Sequence, residues 1–217
     1  MDGNRRWAKS HGFSTYEGHK KGYEKLKDVV GWAKEAGVKT LIVYAFSTEN
    51  WNRTKDEISY LMDLFRTVLK DEVHVLAGES TRVRFLGTKH RFSPDIRTMM
   101  EEVEEKTKTE TKFTLGVALS YGGRAEILAA AEALYSVENP QKEITEENFS
   151  KYLWTAGMSD PDIIIRTGGE RRLSNFLPWQ SVYSELFFVD TLWPDFSKEE
   201  FKRILTEFGE RERRRGK

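Results

Sequence analysis

An α/β protein with a mainly parallel central sheet flanked by helices is the fold class this sequence predicts. Three observations carry that reading. Apolar residues alternate along the chain between blocks of helical period and short strand-like runs. The strongest strand-like runs pass directly into polar loops. Helix-like blocks carry their own start and stop signals, such as Gly37 after one and a T-x-x-E pattern at Thr54 and Glu57 before the next. Alternation of this kind argues for parallel strands with helices on both faces. Charged and apolar residues are spread evenly with no compositional seam, so residues 1–217 read as a single domain.

The elements follow in order. Residues 17–36, EGHKKGYEKLKDVVGWAKEA, read as a helix closed by Gly37, and KTLIVYAF, 39–46, reads as a buried strand that runs into the loop STENWNR. The helix after Thr54 places Ile58, Leu61, Met62, Phe65, Val68 and Leu69 on one face, which reads as core unless a tunnel runs beside it. Strand TRVRFLG (81–87), a helix over 94–107, strand KFTLGVALS (112–120) and a helix over 124–137 come next. A helix near 145–154 precedes strand DIIIR (162–166), and after a polar loop strand ELFFV (185–189) leads to a final helix over 197–213.

Composition excludes several classes of function. Lys plus Arg (35) balance Asp plus Glu (35), so the chain lacks the basic surplus a nucleic-acid groove would need, and any anion site must be local. The chain has no cysteine, hence no disulfide framework and no thiolate nucleophile or metal ligand, which fits a reducing compartment such as the cytoplasm. No apolar run approaches the roughly 18 to 20 residues that span a bilayer, and the start lacks the apolar core of a signal peptide. Walker, GxGxxG, GxSxG, HExxH and DDxxD patterns are absent, and His11, His19, His74 and His90 are too scattered to look like ligands.

Ligands of parallel α/β sheets bind beyond the carboxyl ends of strands. Three loops stand there: Ser47–Arg53, Ser120–Arg124 (SYGGR) and Arg166–Phe176 (RTGGERRLSNF). In the last, Arg166, Arg171 and Arg172 bracket a Thr-Gly-Gly turn, with Ser174 beyond. Guanidinium forks, a hydroxyl and backbone N–H groups unobstructed by a Cβ suit a diphosphate. The same residues also read as a solvated turn with surface ion pairs. MDGNRRW at the start is either a flexible basic terminus or half of a site. Asp2 favours the site, since Mg²⁺ bridges carboxylate and phosphate oxygens. His19, read as lying on the first turn of its helix, could donate to the same anion. Asn50 and Arg53 could act on a substrate beside an apolar wall shaped by Trp51, or Trp51 could simply pack under its loop. The basic tail RERRRGK reads as solvated or as a membrane contact worth about 1 kcal/mol per basic residue.

Taken together, MDGNRRW, Gly18-His19, STENWNR, YGGR and RTGGERRLSNFLPWQSVYSELFF through LWPDF resemble the cis-prenyltransferase family, typified by undecaprenyl diphosphate synthase, over essentially the whole chain. The resemblance implies a fold with an apolar tunnel and an Mg²⁺-dependent enzyme that adds isopentenyl diphosphate units to an allylic diphosphate such as farnesyl diphosphate, forming Z double bonds. It implies that Asp2 handles magnesium and diphosphate departure, with Gly3, Asn4, Arg5, Arg6, Trp7 and His19 at the allylic diphosphate. Asn50 matches a loop amide implicated in proton removal, with Ser47, Thr48, Glu49, Trp51 and Arg53 lining the reacting region. Arg166, Arg172, Leu173 and Ser174 match the isopentenyl diphosphate site, and Glu185 matches a carboxylate associated with magnesium and the subunit contact.

The sequence departs from the family pattern in places. The family carries a short apolar strand before MDGN, which this sequence, beginning at Met1, is expected to lack; Thr15 stands where an arginine is common, and Arg5 stands where glycine is common and could replace that charge. Arg171 occupies a position that is often a metal-associated histidine. Arg214-Arg215-Gly216 matches an R-x-G ending that implies a homodimer. Ala45 and Phe113 fall on strands that would line the tunnel, where a bulky Phe113 near the closed end would shorten the product. A shorter-chain Z-prenyl diphosphate synthase is one alternative. A non-catalytic subunit is another, but it should have lost the Asp2 acid and the paired arginines.

Overall fold

Thr40–Ser47 (β1), Thr81–Leu86 (β2) and Phe113–Tyr121 (β3) pair in the order β1-β3-β2, and both pairings are parallel. Ile163–Arg166 (β4) and Glu185–Phe188 (β5) form a second, two-stranded parallel sheet. The expected parallel α/β architecture is therefore present, with the hydrogen-bonded strands in two sheets. The computed structural model describes residues 1–72, 80–136 and 144–211.

The chain packs as two units whose segments interleave in sequence. One comprises Met1–Lys39, Asp160–Leu173 and Gln180–Lys217; the other comprises Thr40–Ser159 and Ser174–Trp179.

In the first unit, Asn4–Ser10 forms a short helix (α1) that the sequence reading did not anticipate, and Thr15–Glu35 forms α2. Only Trp7 and Ala8 of α1 are buried, too few to give a periodic apolar signal. Gly18 and Gly22 of α2 let α1 approach: a Cβ on Gly18 would lie 2.4 Å from the Asn4 carbonyl oxygen, and one on Gly22 would lie 2.4 Å from Asn4 Oδ1. Trp7 donates its indole N–H to Asp195 Oδ1 (2.7 Å), and Trp193 donates its own to the Gly22 carbonyl (2.7 Å). The final helix covers Lys198–Glu210, capped by Ser197; it ends before the expected Arg213, since Arg211 is extended (φ -74, ψ 128), and residues 212–217, with the R-x-G tail, fall outside the described residues.

In the second unit both faces of the β1-β3-β2 sheet are covered, which is why its strands read as nearly continuous apolar runs. On one face Phe46, Val83, Phe85 and Leu119 pack with Leu61 from helix α3 (Lys55–Thr67) and with Ile96, Met100 and Val103 from helix α4 (Pro94–Thr107). Leu69 joins that cluster from a wider turn, Val68–Glu72, that continues α3. On the other face Leu86, Ala118, Tyr121 and Leu177 form a smaller cluster. The free edge of β2 is closed by α4, where Thr107 Oγ1 accepts the Val83 N–H (3.0 Å) and Glu104 Oε1 accepts the Phe85 N–H (2.8 Å). Helix α5 spans Gly123–Tyr135, and Val137 at its expected end is outside the described residues. The helix expected over 145–154 is shorter, Glu146–Ser150 (α6), and continues as turns in which Leu153 N–H bonds to Ser150 O and Ala156 N–H to Leu153 O. No helix among the described residues is long and apolar enough to cross a membrane.

Candidate active site

The opening stretch MDGN is fixed by backbone first. Thr167, just past the carboxyl end of β4, accepts the Asp2 N–H through Oγ1 (3.0 Å) and donates its hydroxyl to the Asp2 carbonyl (2.9 Å), while the Trp193 N–H reaches the same carbonyl at 2.9 Å. Gly3 then turns the chain with φ +112, where a Cβ would sit 2.8 Å from Leu192 Cδ2. The Asp2 carboxylate, about one third exposed at 36%, accepts Arg166 Nη2 at Oδ2 (3.0 Å) and faces Arg6 Nη2 at Oδ1 (3.3 Å). Burial alone would raise the Asp2 pKa, but the hydrogen bond and charge of Arg166, then the charge of Arg6, outweigh it and hold the carboxyl below its ordinary value.

The Thr-Gly-Gly turn works differently from the sequence expectation. Its two glycine N–H groups are not free for an anion, because Gly168 donates to Thr191 O (2.8 Å) and Gly169 to Val189 O (2.9 Å). The glycine at 168 is needed for close approach: with φ +90, its Cβ would lie 2.5 Å from Arg6 Nη2 and 3.2 Å from the Asp2 carbonyl oxygen. The turn thus seats Asp2 and Arg6.

Asp2, Arg6 and Arg166 therefore meet. The other expected residues of this unit are placed as follows. Arg166 donates to the Arg172 backbone carbonyl, but the Arg172 guanidinium pairs with Glu170. Arg5 and Arg171 are exposed, Leu173 is half-buried, and Asn4 turns Oδ1 into the α1–α2 contact. Trp7 is 8% exposed and stacks on His11 with ring centroids 4.3 Å apart, so it anchors α1 rather than offering a face to ligand. His19 sits in the second turn of α2, because that helix starts at Thr15. Its amino end is closed by Ser14 and Glu17, with the Ser14 N–H 2.8 Å from Glu17 Oε2. Glu185 pairs across β5 with Ile163, at the opposite end of β4 from Arg166, and accepts Arg211 Nη1 at 2.6 Å. Asp2 and Glu185 of one chain are thus not seen sharing a site. Among the described residues no group of three His, Asp or Glu side chains could hold a metal alone.

The second unit carries the remaining loop. Register shifts between Tyr44 and Ser47 end β1 and deliver the chain into a 3₁₀ turn, Thr48–Asn52. Asn50 Oδ1 accepts the Ser47 N–H (3.0 Å), which fixes the amide's orientation, and Arg53 Nη1 pairs with Glu57 at 2.9 Å. Trp51 packs under the loop: it donates to Ser120 Oγ (2.8 Å), meets Phe46 edge-on at 4.9 Å and lies beneath Arg91. Ala45 packs against the α3–α4 cluster and Phe113 is buried at 4% exposure.

Three polar residues were missed in the sequence reading. Thr167 clamps Asp2, Ser120 anchors Trp51 from a left-handed conformation (φ +49), and Asn175 donates Nδ2 to Glu49 Oε1 (3.0 Å). Asn175 adjoins Ser174, and both have positive φ. Their signals were present as Thr beside Gly-Gly, Ser at a strand end and Asn in a turn, but such residues are common in loops and carry no partner in the sequence.

A family model described as "Putative undecaprenyl diphosphate synthase" matches residues 1–216. The chain is 50% identical over 218 residues to the isoprenyl transferase of Thermotoga maritima, covering all of this chain and 94% of that relative. It is 45% identical over 217 residues to the isoprenyl transferase of Aquifex pyrophilus, covering all of this chain and 93% of the relative. Lavandulyl diphosphate synthase from Lavandula x intermedia, solved in complex with dimethylallyl diphosphate, superposes with a TM-score of 0.94 at 31% identity, over all of this chain and 95% of that one. A probable undecaprenyl diphosphate synthase from Campylobacter jejuni gives a TM-score of 0.82 at 37% identity, over 91% and 93% of the two chains.

Proposed function

This chain belongs to the undecaprenyl diphosphate synthase family of prenyltransferases and is a transferase, and we propose that it condenses isopentenyl diphosphate onto an allylic diphosphate with a Z double bond in each new unit. The observation that carries the reading is the Asp2 carboxylate held between Arg6 and Arg166 beyond the carboxyl end of β4. In the proposed reaction the allylic C–O bond breaks and its electron pair leaves with the diphosphate. The alkene of isopentenyl diphosphate supplies the electrons of the new C–C bond, and a proton passes from the adjacent carbon to the departing diphosphate as the new double bond forms. Arg6 and Arg166, with Arg5 nearby in sequence, stabilise the charge that gathers on the departing diphosphate, since fixed cations need no reorganisation as water would. Ser174 and Arg172 hold the isopentenyl diphosphate, and the turn bearing Asn50 takes part in proton removal.

The donor set around Asp2 suits Mg²⁺. A single hard, partly exposed carboxylate matches an ion that keeps waters and completes its shell with substrate phosphates rather than an all-protein cage. Mg²⁺ there would neutralise diphosphate charge; Asp2 is the residue that would hold it.

The growing chain would lodge along the α3–α4 face of the second unit, where Ala45, Met62, Phe65 and Met99 are only partly buried. Each isoprene unit buried would contribute roughly 4 kcal/mol, at about 0.8 kcal/mol per carbon, so release of a long product would be slow. The family's farnesyl primer and the dimethylallyl diphosphate in the Lavandula neighbour support allylic primers of different length, and a shorter Z-product is the second reading. A cytoplasmic homodimer that meets the membrane to deliver product completes the proposal.

The test is incorporation of labelled isopentenyl diphosphate into butanol-extractable product with Mg²⁺ and either farnesyl or dimethylallyl diphosphate. Product that Asp2→Ala abolishes is expected, and chromatography gives its length. A folded wild type inactive with both primers would overturn the reading.

A further inference from the structure

We infer that Asn175 is a positioning residue for the Thr48–Asn52 turn, locking it through Glu49 to the amino end of α5. The inference deepens the prenyl-transfer reading and rests on it, because that turn carries Asn50.

Asn175 uses its polar groups in three directions. Its backbone carbonyl accepts the Gly123 N–H (2.8 Å), its Oδ1 accepts the Arg124 N–H (2.9 Å), and its Nδ2 donates to Glu49 Oε1 (3.0 Å). The first two satisfy N–H groups at the start of α5 that a helix leaves without intrahelical partners. The third reaches the turn that follows β1. The glycines of the YGGR motif make room for it. A Cβ on Gly122 would lie 2.6 Å from Thr48 Oγ1 and 2.8 Å from Asn175 Nδ2, and one on Gly123 would lie 1.9 Å from Pro178 Cδ.

The chemistry at 175 asks for an amide. One side-chain atom must accept from a helix N–H while another donates to a carboxylate, and of the two short planar side chains only Asn does both. Asp would keep the acceptor but turn a like charge on Glu49. Asn also tolerates the left-handed backbone at this position, φ +67. Burial would raise the Glu49 pKa, but the Asn175 hydrogen bond, helped by local backbone and by the Ser47 and Thr48 hydroxyls, brings it below its ordinary value. The acceptor is therefore ionised at neutral pH, and the bond is charge-assisted.

Ser174, proposed to hold diphosphate, is covalently next to Asn175, and Glu49 is next to Asn50. One hydrogen bond within the second unit thus joins the residue after Ser174 to the turn proposed to act on the proton.

The test uses the full chain and reverses the polarity of that bond. Asn175→Asp should speed hydrogen exchange of the amides in 47–53 by about fivefold or more while those in β3 stay protected, and should lower kcat about 10- to 100-fold with the isopentenyl diphosphate KM little changed. Adding Glu49→Gln, whose amide can donate to the new carboxylate, should restore slow exchange and recover much of the lost kcat. Glu49→Ala breaks the same bond from an exposed residue, so it tests the turn even if a change at 175 impairs folding; it should loosen 47–53 equally. Unchanged exchange in Glu49→Ala, or a double variant whose losses simply multiply, would overturn the inference. A wild type without prenyl transfer would sink the functional reading alone, and the exchange pattern would still decide whether Asn175 holds the turn.

Discussion

The Asp2 carboxylate reaches across 164 positions of sequence to place Oδ2 3.0 Å from Arg166 Nη2. That contact joins the start of the chain to the carboxyl end of β4 and gives the proposed reaction its charged centre. It also links the proposed catalysis to stability, because the two groups are paired before any substrate arrives.

Asp2→Asn should lower kcat/KM by about 100-fold or more, the scale on which removal of one electrostatic stabiliser acts. Its stability effect should depend on pH. The folded carboxyl is held below its ordinary value by Arg166 and Arg6 despite burial. The ionised pair therefore stabilises the fold fully above about pH 4, and this is lost as pH falls through the depressed value. Urea midpoints of wild type and Asp2→Asn should differ at neutral pH and converge toward pH 3. A gap that stays constant would contradict the pairing.

Gly18→Ala and Gly31→Ala lie on the same helix and should act in opposite directions. A Cβ at 18 would press on the Asn4 backbone oxygen at 2.4 Å and Ala8 Cβ at 2.8 Å, whereas one at 31 meets nothing within 4 Å. The first should cost about 1–3 kcal/mol as overpacking and displace the helix that follows Asp2. The second should stabilise by up to about 1 kcal/mol through helix propensity. Urea unfolding of both variants checks the pair.

Trp7→Phe should separate an anchor from a ligand contact. It keeps the stacking surface but loses the 2.7 Å indole bond to Asp195, which should cost about 0.5–1.5 kcal/mol of stability. The allylic diphosphate KM, measured by steady-state kinetics, should move less than about threefold. A large KM change at unchanged stability would return Trp7 to the substrate site.

Gly168→Ala should weaken diphosphate binding without replacing a charged group. Its φ of +90 is strained for any L side chain, and the new Cβ would crowd Arg6 Nη2 and the Asp2 carbonyl. Backbone strain of about 1–3 kcal/mol, together with Arg6 pushed from Asp2, should raise the allylic diphosphate KM about tenfold. Titration with inorganic diphosphate gives the same comparison without turnover.

Much of the fold was legible in the sequence. β2 and α4 run from Thr81 and from Pro94 to Thr107 as expected, because a doubly covered strand and a Pro-initiated helix declare themselves locally. Helix α1 was not legible, since its stability comes from Trp7 bonding to Asp195 and from the glycine groove of α2, neither of which leaves a period in seven residues. The interleaving of the two packing units is likewise invisible to composition, because each unit draws its segments from distant parts of the chain.

The sequence by itself determined which residues could carry diphosphate chemistry: Asp2, the arginines around the Thr-Gly-Gly turn and the STENWNR loop stand in order because residue type and spacing are local properties. Only the tertiary structure decided what each one touches. It set Arg6 and Arg166 on Asp2, sent Arg172 to Glu170 and Glu185 to Arg211, turned Trp7 and Trp51 inward, and used the Gly168 and Gly169 N–H groups to build the turn. The physical reason is that a hydrogen bond or ion pair is fixed by distance and direction in space. A spacing of 164 residues contains neither.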